Sequence, residues 1–417
     1  MVSPEIRTLD ESDVTDWLRA LFAGFHLAPT VSAEEAVQRA ADYELARTRG
    51  AFDAGRCVAT FRSMPRELTV PGGAVLAASA ITNVSVTGTH RRRGLASRMM
   101  AADLAEAKER GEAVSILIAA EYPIYGRYGF GPATWYTDLV VDVPRAATDP
   151  RYSGAPDGGR VDLVTPAEVW AAGPALHDRV RAVTPGAINR PKDWWEETTG
   201  RRQFSSRPWT EPFFAVYRDA GGRIDGLVSY TTVNHGRMGR LPETEVTVKQ
   251  LIAAGPAAEA ALWRFLLSLD WVTRVVSGRR APDDVLPLLL GDPRAARTES
   301  YADFMWLRLL DTPVALAART YGGGPASFVL DVHDPAGYAG GRFLLETDAS
   351  GAATCTPSAA PADLSLDVSD LACLYLGDES ATRLTALGRA AEHRPAAARA
   401  ADTLFHTPRR PWCPDVF

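Results

Sequence analysis

The sequence feature that most constrains the fold is a strand pattern that runs into an arginine- and glycine-rich turn and then into a helix pattern. Apolar and polar residues alternate over residues 81–86, which is the period of a half-buried strand. After Ser97 the apolar residues recur at helical spacing, and Gly111 follows as a stop signal. Residues 91–96 therefore lie between the end of a strand and the start of a helix.

Such a turn is suited to binding an anion. The start of a helix leaves backbone N–H groups without partners and carries partial positive charge. Gly94 and Ala96 are small enough for a diphosphate to approach the backbone, and Arg91 and Arg92 add positive charge. On these residues alone, a solvated basic turn or a nucleic-acid contact is an equal alternative.

The residues that follow favour the diphosphate. A second apolar strand is predicted over residues 113–119, and it leads to the segment Tyr-Gly-Arg-Tyr-Gly-Phe that begins at Tyr125. The order strand, Arg-x-x-Gly-x-Ala turn, amphipathic helix, strand and tyrosine segment indicates a protein that holds coenzyme A and transfers its acyl group.

With these motifs the chain resembles the GNAT acetyltransferase superfamily, whose Arg/Gln-x-x-Gly-x-Gly/Ala motif is matched by Arg91, Gly94 and Ala96. Within it the chain resembles the Eis ("enhanced intracellular survival") family of actinobacteria. The similar segments are residues 89–95 and 124–134, and the chain length and the aromatic C-terminal residue also agree. The resemblance is strong over about the first 150 residues and architectural over the rest.

Length and composition bound the organisation and the partners. A chain of 417 residues is too long for one core, so two or three domains are expected. A net charge of −6 argues against nucleic acid as a partner and permits a cationic acceptor. The sequence contains no recognisable signal peptide, no apolar run of bilayer length and no C-x-x-C pair. We therefore expect a cytoplasmic protein that uses neither a membrane nor a metal.

Three units are predicted, with an α+β fold overall. Residues 1–150 form a GNAT domain with the acetyl-CoA site, which a strand over residues 136–143 closes. After a linker rich in Pro and Gly over residues 144–159, residues 151–298 repeat the helix–strand–strand–helix order. They lack the Arg-x-x-Gly-x-Ala turn, which predicts a degenerate GNAT copy. The Eis resemblance implies that residues 299–417 form a sterol-carrier-protein-like domain whose C-terminal tail reaches the active site.

The resemblance also assigns the acetyl-transfer chemistry. Transfer to an amine requires loss of a proton from the amine, stabilisation of an oxyanion and protonation of the leaving thiolate. Backbone groups of Val84 and Val86 are expected to stabilise the oxyanion. Tyr125, a phenol that is protonated at neutral pH, is the expected general acid. Acetyl-CoA is the expected co-substrate, and the residues expected to hold it are Val84, Val86, Arg91, Arg92, Gly94, Leu95, Ala96 and Ala120.

The resemblance supplies a general base that the motifs do not. This is the α-carboxylate of Phe417, which is expected to act as base or as an anchor for the amine. Prolines and aromatic residues make the tail stiff and apolar, which favours a docked terminus over a frayed one. His90 and His26 are interpreted as surface groups rather than bases, and Glu121 or an ordered water is the alternative base.

The acceptor is expected to be the amine of an aminoglycoside-like, polyamine or lysine-type molecule. The candidate residues for binding it are Phe25, His26, Glu121 and Asp415. The acidic residue and the tryptophan that help to shape the aminoglycoside pocket of the family are not matched on the first two helices. The resemblance further implies a homo-hexamer. A non-catalytic Eis-like ligand-binding scaffold and a lipid carrier remain the alternative functions.

Overall fold

Three β-sheets with flanking helices organise the part of the chain that the computed structural model describes, residues 4–147, 149, 158–236 and 243–417. The chain begins with β1 (Glu5–Thr8), α1 (Val14–Gly24), α2 (Ala33–Asp42), β2 (Thr48–Asp53), β3 (Arg56–Thr69), β4 (Val75–Val86), α3 (Leu95–Glu109), β5 (Val114–Ile118), α4 (Tyr122–Tyr125) and β6 (Gly131–Pro132). It continues with β7 (Trp135–Asp142), β8 (Arg160–Val164), α5 (Pro166–Arg181), α6 (Lys192–Thr198), β9 (Phe213–Arg218), β10 (Ile224–Asn234), β11 (Thr244–Ala253), α7 (Pro256–Leu267), β12 (Val272–Arg280), β13 (Ala296–Asp303) and β14 (Met305–Leu309). It ends with α8 (Thr312–Ala318), β15 (Ala326–His333), β16 (Gly341–Thr347), β17 (Ala353–Pro357), β18 (Leu364–Asp367), α9 (Val368–Tyr375), α10 (Ala381–Ala386), β19 (Ala390–Glu392) and α11 (Ala397–Phe405).

The first sheet has the strand order β1-β2-β3-β4-β5-β14-β6 and is covered on both faces. Neighbouring side chains of a strand point to opposite faces, so Phe52 joins the core cluster under α1 while Ala51 joins the one under α3. Trp17 of α1 and Met99 of α3 are fully buried in these two clusters. This packing fixes both helices on the sheet whose β4–α3 connection carries the arginine turn.

The first two sheets exchange strands. Strand β7 pairs with β12 and β13 in the second sheet, whose order is β13-β7-β12-β11-β10-β9-β8. Strand β14, which follows the second sheet in sequence, pairs with β5 and β6 in the first. The strand predicted over residues 136–143 therefore exists as β7, but the prediction that it closes the first unit is wrong. Local patterning does not specify a partner, and only about two-thirds of sequential strands are neighbours.

The third sheet, of order β17-β16-β15-β18-β19, shares a core with the first. That core contains Met64 and Leu68 of β3 together with Leu330 of β15 and Leu371 of α9. Helix α9 lies so close to β6 that a Cβ atom added at Gly131 would come within 2.0 Å of the Ser369 carbonyl oxygen. The third unit is therefore packed closely against the first.

The sequence predicts one helix over residues 33–48, and strand patterns separated by Gly and Pro predict two strands, over residues 57–62 and 66–70. Both predictions are wrong. The helix predicted over residues 33–48 ends at Asp42, and the strand β2 that follows it is missed. The strands predicted over residues 57–62 and 66–70 are one long strand, β3. Pro65 does not break β3 because pairing with β2 stops at Arg62, so no hydrogen bond is lost on that side. Most of the linker predicted over residues 144–159 lies outside the described residues.

Within the described residues, no helix has the length and apolar character that crossing a bilayer requires.

Candidate active site

The arginine turn adopts a backbone that leaves room for a ligand. Arg92 and Gly94 both have left-handed backbone angles, with φ of 63° and 74°. A Cβ atom added at Gly94 would meet nothing within 4 Å, so the space beside the backbone is open. Leu95 is buried and starts α3, while Arg91 and Arg92 are exposed.

The turn therefore fits a pyrophosphate in both shape and charge. The N–H groups in the first turn of α3, at Leu95 and Ala96, have no intrahelical acceptors and lie next to the open space at Gly94. His90 fixes the turn, because its Nε2 atom lies 2.9 Å from an Asp53 carboxylate oxygen. His90 is therefore a partly buried residue of the turn, paired with Asp53, rather than the surface group that the sequence predicts.

Strands β4 and β5 part next to this turn. Their parallel register runs from Ala78–Val114 to Ile81–Leu117 and stops there. Asn83 then takes a φ of 55°, and its carbonyl oxygen accepts a 2.8 Å hydrogen bond from Thr60 Oγ1. The register of β4 against β3 shifts at this point, which marks a β-bulge.

The bulge and the parting of the strands open a gap in the sheet. Val84 and Val86 follow the bulge, and their side chains pack against the core cluster that contains Tyr125. Ala120 is exposed just beyond the end of β5. The residues predicted to hold acetyl-CoA thus lie at the C-terminal ends of the neighbouring strands β4 and β5 and on the turn that follows β4.

Tyr125 occupies a mostly apolar site. Its ring is buried against Phe130 and Trp306, with centroids 6.4 and 6.5 Å away. Burial, together with the negative charge of Glu121, raises the pKa of Tyr125. The phenol therefore stays protonated at neutral pH, as a general acid requires. Tyr128, by contrast, lies 2.8 Å from Ser97 Oγ through its hydroxyl oxygen, which fits a structural role.

A cavity of about 1490 Å³ lies between the first and second sheets, with the C-terminal residues in its wall. Thr82 and Asn83, at the bulge of β4, line it next to Val84. Five aromatic side chains line it as well: Phe22, Phe25, Tyr43, Trp194 and Trp209. The cavity therefore places aromatic surface beside the gap in the first sheet.

The C-terminal tail is docked along this cavity by several contacts. Arg409 Nε donates to Asp283 at 2.7 Å, and the backbone N–H of Trp412 donates to the Pro185 carbonyl at 2.8 Å. Cys413 is fully buried. Phe417 itself is half-buried and lines the cavity together with Asp415 and Val416. The terminus is anchored rather than frayed.

Asp415 is part of this anchor. Arg190 makes an ion pair with it at 2.8 Å, and both side chains are almost fully buried. His177 Nε2 lies 3.9 Å from the same carboxylate. Asp415 lines the cavity, but Arg190 balances its negative charge. Asp415 is therefore not the free acidic group for an amine that the sequence predicts.

The other residues predicted for the acceptor differ in position. Phe25 lines the cavity and is about half exposed. His26 and Glu121 are exposed, and neither belongs to the cavity lining among the described residues. The carboxylate of Glu35, on α2, accepts hydrogen bonds from Ser206 and Arg39. Burial acts to raise the pKa of Glu35, but these hydrogen bonds outweigh it and lower the pKa.

Three residues of the cavity carry little or no signal in the sequence. Arg62 and Arg66 lie four residues apart on β3 and hence on one face of the strand, which is the only hint that they act together. Asn83 has no signal, because its left-handed backbone arises from the pairing of β4 with β3. The second sheet and the tail complete the cavity more than a hundred positions further along the chain.

Comparison with known protein families agrees with this architecture. An acetyltransferase (GNAT) domain matches residues 5–133, a second acetyltransferase (GNAT) domain matches residues 186–309, and a sterol carrier protein domain matches residues 312–414. The predicted order of two GNAT folds and a sterol-carrier-protein-like domain is confirmed.

Relatives of known name cover most or all of the chain. A protein named uncharacterized N-acetyltransferase from Streptomyces avermitilis is 55% identical over 99% of this chain and 98% of its own. N-acetyltransferase Eis of Mycobacterium tuberculosis is 37% identical over 78% of this chain and 77% of its own. The crystal structure of Eis1 from Mycobacterium abscessus superposes with a TM-score of 0.83 at 30% identity, covering 99% of this chain and 100% of that one.

The fold and the arginine turn thus define a GNAT-type N-acetyltransferase, an enzyme whose fold implies the use of acetyl-CoA. The chain belongs to the Eis family.

Proposed function

We propose that the enzyme transfers acetyl directly from acetyl-CoA to an amine bound in the cavity between the first two sheets. The observation that carries this proposal is the shared wall of the cavity. It contains both the bulge of β4, next to Val84, and the C-terminal residue Phe417. A bound amine there is close to the proposed acetyl site and to a carboxylate.

The proposed roles follow from the surroundings of each group. Acetyl-CoA supplies an activated acetyl thioester, which the turn at Gly94 and the N terminus of α3 would hold by its pyrophosphate. The backbone of Val84 and Val86 would orient the acetyl group and stabilise negative charge on its oxygen. Tyr125, with its raised pKa, would donate a proton to the leaving sulfur. The carboxylate of Phe417 would accept the proton of the amine, directly or through water.

The acceptors that the family resemblance suggests are aminoglycoside-like molecules, polyamines and lysine-type amines, and acetylation of the first would confer antibiotic resistance. The use of acetyl-CoA supports action in the cytoplasm, and the four cysteines, which are buried and form no disulfide, agree with that compartment.

A screen of amines tests the proposal. Purified enzyme is mixed with acetyl-CoA and each amine, and free thiol is followed over time. We expect amine-dependent thiol release together with an N-acetylated product in the mass spectrum. Binding of acetyl-CoA without release for any amine would support the alternative, a non-catalytic scaffold. Lipid that co-purifies with the protein would support a carrier role for the third domain.

We also propose a homo-hexamer, as the Eis resemblance implies. Light scattering at micromolar concentration should then give about six times the monomer mass of 45.0 kDa. A 45.0 kDa species alone would contradict it.

A further inference from the structure

The acceptor cavity has a positive rather than a negative balance of charge. Its lining cations are Arg39, Arg62, Arg66, Arg190, Arg207 and Lys249. Its lining carboxylates are those of Asp193, Glu197, Asp415 and the C-terminal residue. A cavity shaped for a polycation would be expected to show the opposite balance.

Three of these cations already have a carboxylate partner. Arg190 pairs with Asp415 at 2.8 Å, and Arg207 pairs with Glu197 at 3.1 Å. Arg39 pairs at 2.9 Å with Glu35, a residue outside the cavity lining. Each of these pairs is internally balanced, so the charge offered to a ligand comes from the remaining groups.

Arg62 is the most conspicuous of the remaining cations. Its guanidinium carbon lies 4.0 Å from the centroid of the Tyr43 ring, and its Nε atom is buried without a hydrogen-bond partner among the described residues. Burial lowers the pKa of Arg62, since the charged form is costly to desolvate. Arg62 is thus a partly buried guanidinium that stacks on a ring face, has an unpartnered Nε and forms no ion pair with a described carboxylate, so it is incompletely satisfied.

Arg66 lies four residues further along β3 and on the same face. Its guanidinium donates to the carbonyl of Pro65 at 2.9 Å, and within the described residues it makes no ion pair. Burial lowers the pKa of Arg66, and the nearby charge of Arg62 lowers it further, while Asp193 and Asp415 act in the opposite direction. Arg62 and Arg66 thus line the same cavity, and among the described residues neither has a carboxylate within ion-pair distance.

The position of the pair relates it to the acetyl site. Arg62 lies directly opposite Thr82 in the register of β3 and β4, and Thr82 precedes Val84 by two residues. Both Arg62 and Thr82 line the cavity. An anion held by the arginines would therefore lie beside the strand that is proposed to orient the acetyl group.

We infer that the acceptor is an amine that also carries a carboxylate, and that Arg62 and Arg66 bind this carboxylate. The inference rests on the proposed function and narrows it to amino-acid-like acceptors over polyamines. A planar guanidinium offers paired N–H donors that match the two oxygens of a carboxylate. The side chain of such an acceptor would pack among Phe25, Trp194 and Trp209.

Matched pairs of acceptors test the inference, because an amino acid and its decarboxylated amine differ only in the carboxylate. The pairs are lysine and cadaverine, phenylalanine and phenethylamine, and tyrosine and tyramine. In the wild type, we expect kcat/KM to be at least about tenfold higher for the acid of the preferred pair. Arg62→Gln and Arg66→Gln should each lower kcat/KM for the acid about 10- to 100-fold, the scale of a lost charged hydrogen bond, and leave the amine nearly unchanged.

Three controls accompany these variants. Arg56→Gln removes an exposed arginine from the same strand and should change neither substrate. Arg62→Lys keeps the charge and should recover part of the preference for the acid. The dissociation constant of acetyl-CoA should be the same in every variant, which also reports that the first domain is folded.

Equal or faster transfer to the decarboxylated amines would overturn the inference, as would a loss in Arg62→Gln that is equal for acid and amine. If no acceptor is acetylated, calorimetry measures the affinities of N-acetyllysine and N-acetylcadaverine, which differ in the carboxylate. Tighter binding of N-acetyllysine is expected, and equal affinity for the two contradicts the inference. Failure of the protein to bind acetyl-CoA would instead refute the proposed function, without bearing on the anion preference measured by calorimetry.

Discussion

At the scale of single residues, the apolar surroundings of Tyr125 define what its hydroxyl can do. Tyr125→Phe keeps the ring contacts with Phe130 and Trp306 but removes the proton donor. We expect the rate of transfer to fall about 10²-fold with little change in melting temperature. Tyr128→Phe is the matched control, since its hydroxyl contacts Ser97. Steady-state kinetics of both variants give the answer, and an unchanged kcat in Tyr125→Phe would leave the ring with packing as its only role.

Gly94 offers a second test at this scale. Gly94→Trp would fill the open space beside the turn, so we expect the dissociation constant of acetyl-CoA to rise at least about tenfold. Gly222→Trp is the control for backbone strain, because Gly222 also has a left-handed φ, 84°, and open surroundings, and it lies in the β9–β10 turn. Calorimetry that shows the same affinity in a folded Gly94→Trp protein would mean that the pyrophosphate binds elsewhere.

The sequence predicts individual residues well where a motif is local. The turn around Gly94 is short and contiguous, so its strand-to-helix position follows from periodicity alone. Asp415 is the opposite case. Its charge is recognisable in the sequence, but its partner Arg190 is 225 positions away, so its neutralisation could not be predicted.

At the scale of elements, the contact of α5 with the C-terminal tail predicts that the free energy of unfolding depends on pH. Burial, followed by the positive charges of Arg190 and Arg181, lowers the pKa of His177 to about 2, although the Asp415 carboxylate faces it at 3.9 Å. Below the unfolded-state pKa of about 6.5, the unfolded chain therefore binds a proton that the folded chain does not. Stability should fall as pH drops below about 6.5, by at most about 1.4 kcal/mol per pH unit from this group.

His177→Gln isolates that contribution. The difference in free energy of unfolding between wild type and variant should change steadily between about pH 6.5 and about pH 5, with the wild type losing more. Urea unfolding at several pH values measures it. A difference that does not vary with pH would show that His177 is protonated equally in the folded and unfolded chain.

Element types were more predictable than element partners. Alternation and helical spacing locate α3, β5 and the C-terminal end of β4 to within a few residues. They cannot show that β14 inserts between β5 and β6, since any apolar strand could fill that position. The parting of β4 and β5 follows the bulge in the pairing of β4 with β3, which local patterning does not show either.

At the scale of the whole molecule, the strand exchange joins the first two units and the shared core joins the third unit to the first. The cavity draws its wall from the first unit, the second unit and the tail. Motifs and resemblance predict the order of the units and the use of acetyl-CoA. The charge balance of the cavity could not be predicted, because Arg62, Arg190 and Asp415 meet there only after folding.

At this scale we propose that the far end of the chain supplies a catalytic carboxylate to the first domain. One added glycine after Phe417 displaces that carboxylate by about 3.5 Å and changes little else. One added glycine at the N terminus is the control. We predict that the C-terminal extension leaves acetyl-CoA affinity unchanged and lowers kcat for acetyl transfer about 10²-fold, while the N-terminal extension changes neither. Equal kcat in the two extended proteins would contradict the proposed role of the Phe417 carboxylate and leave Glu121 or an ordered water as the base.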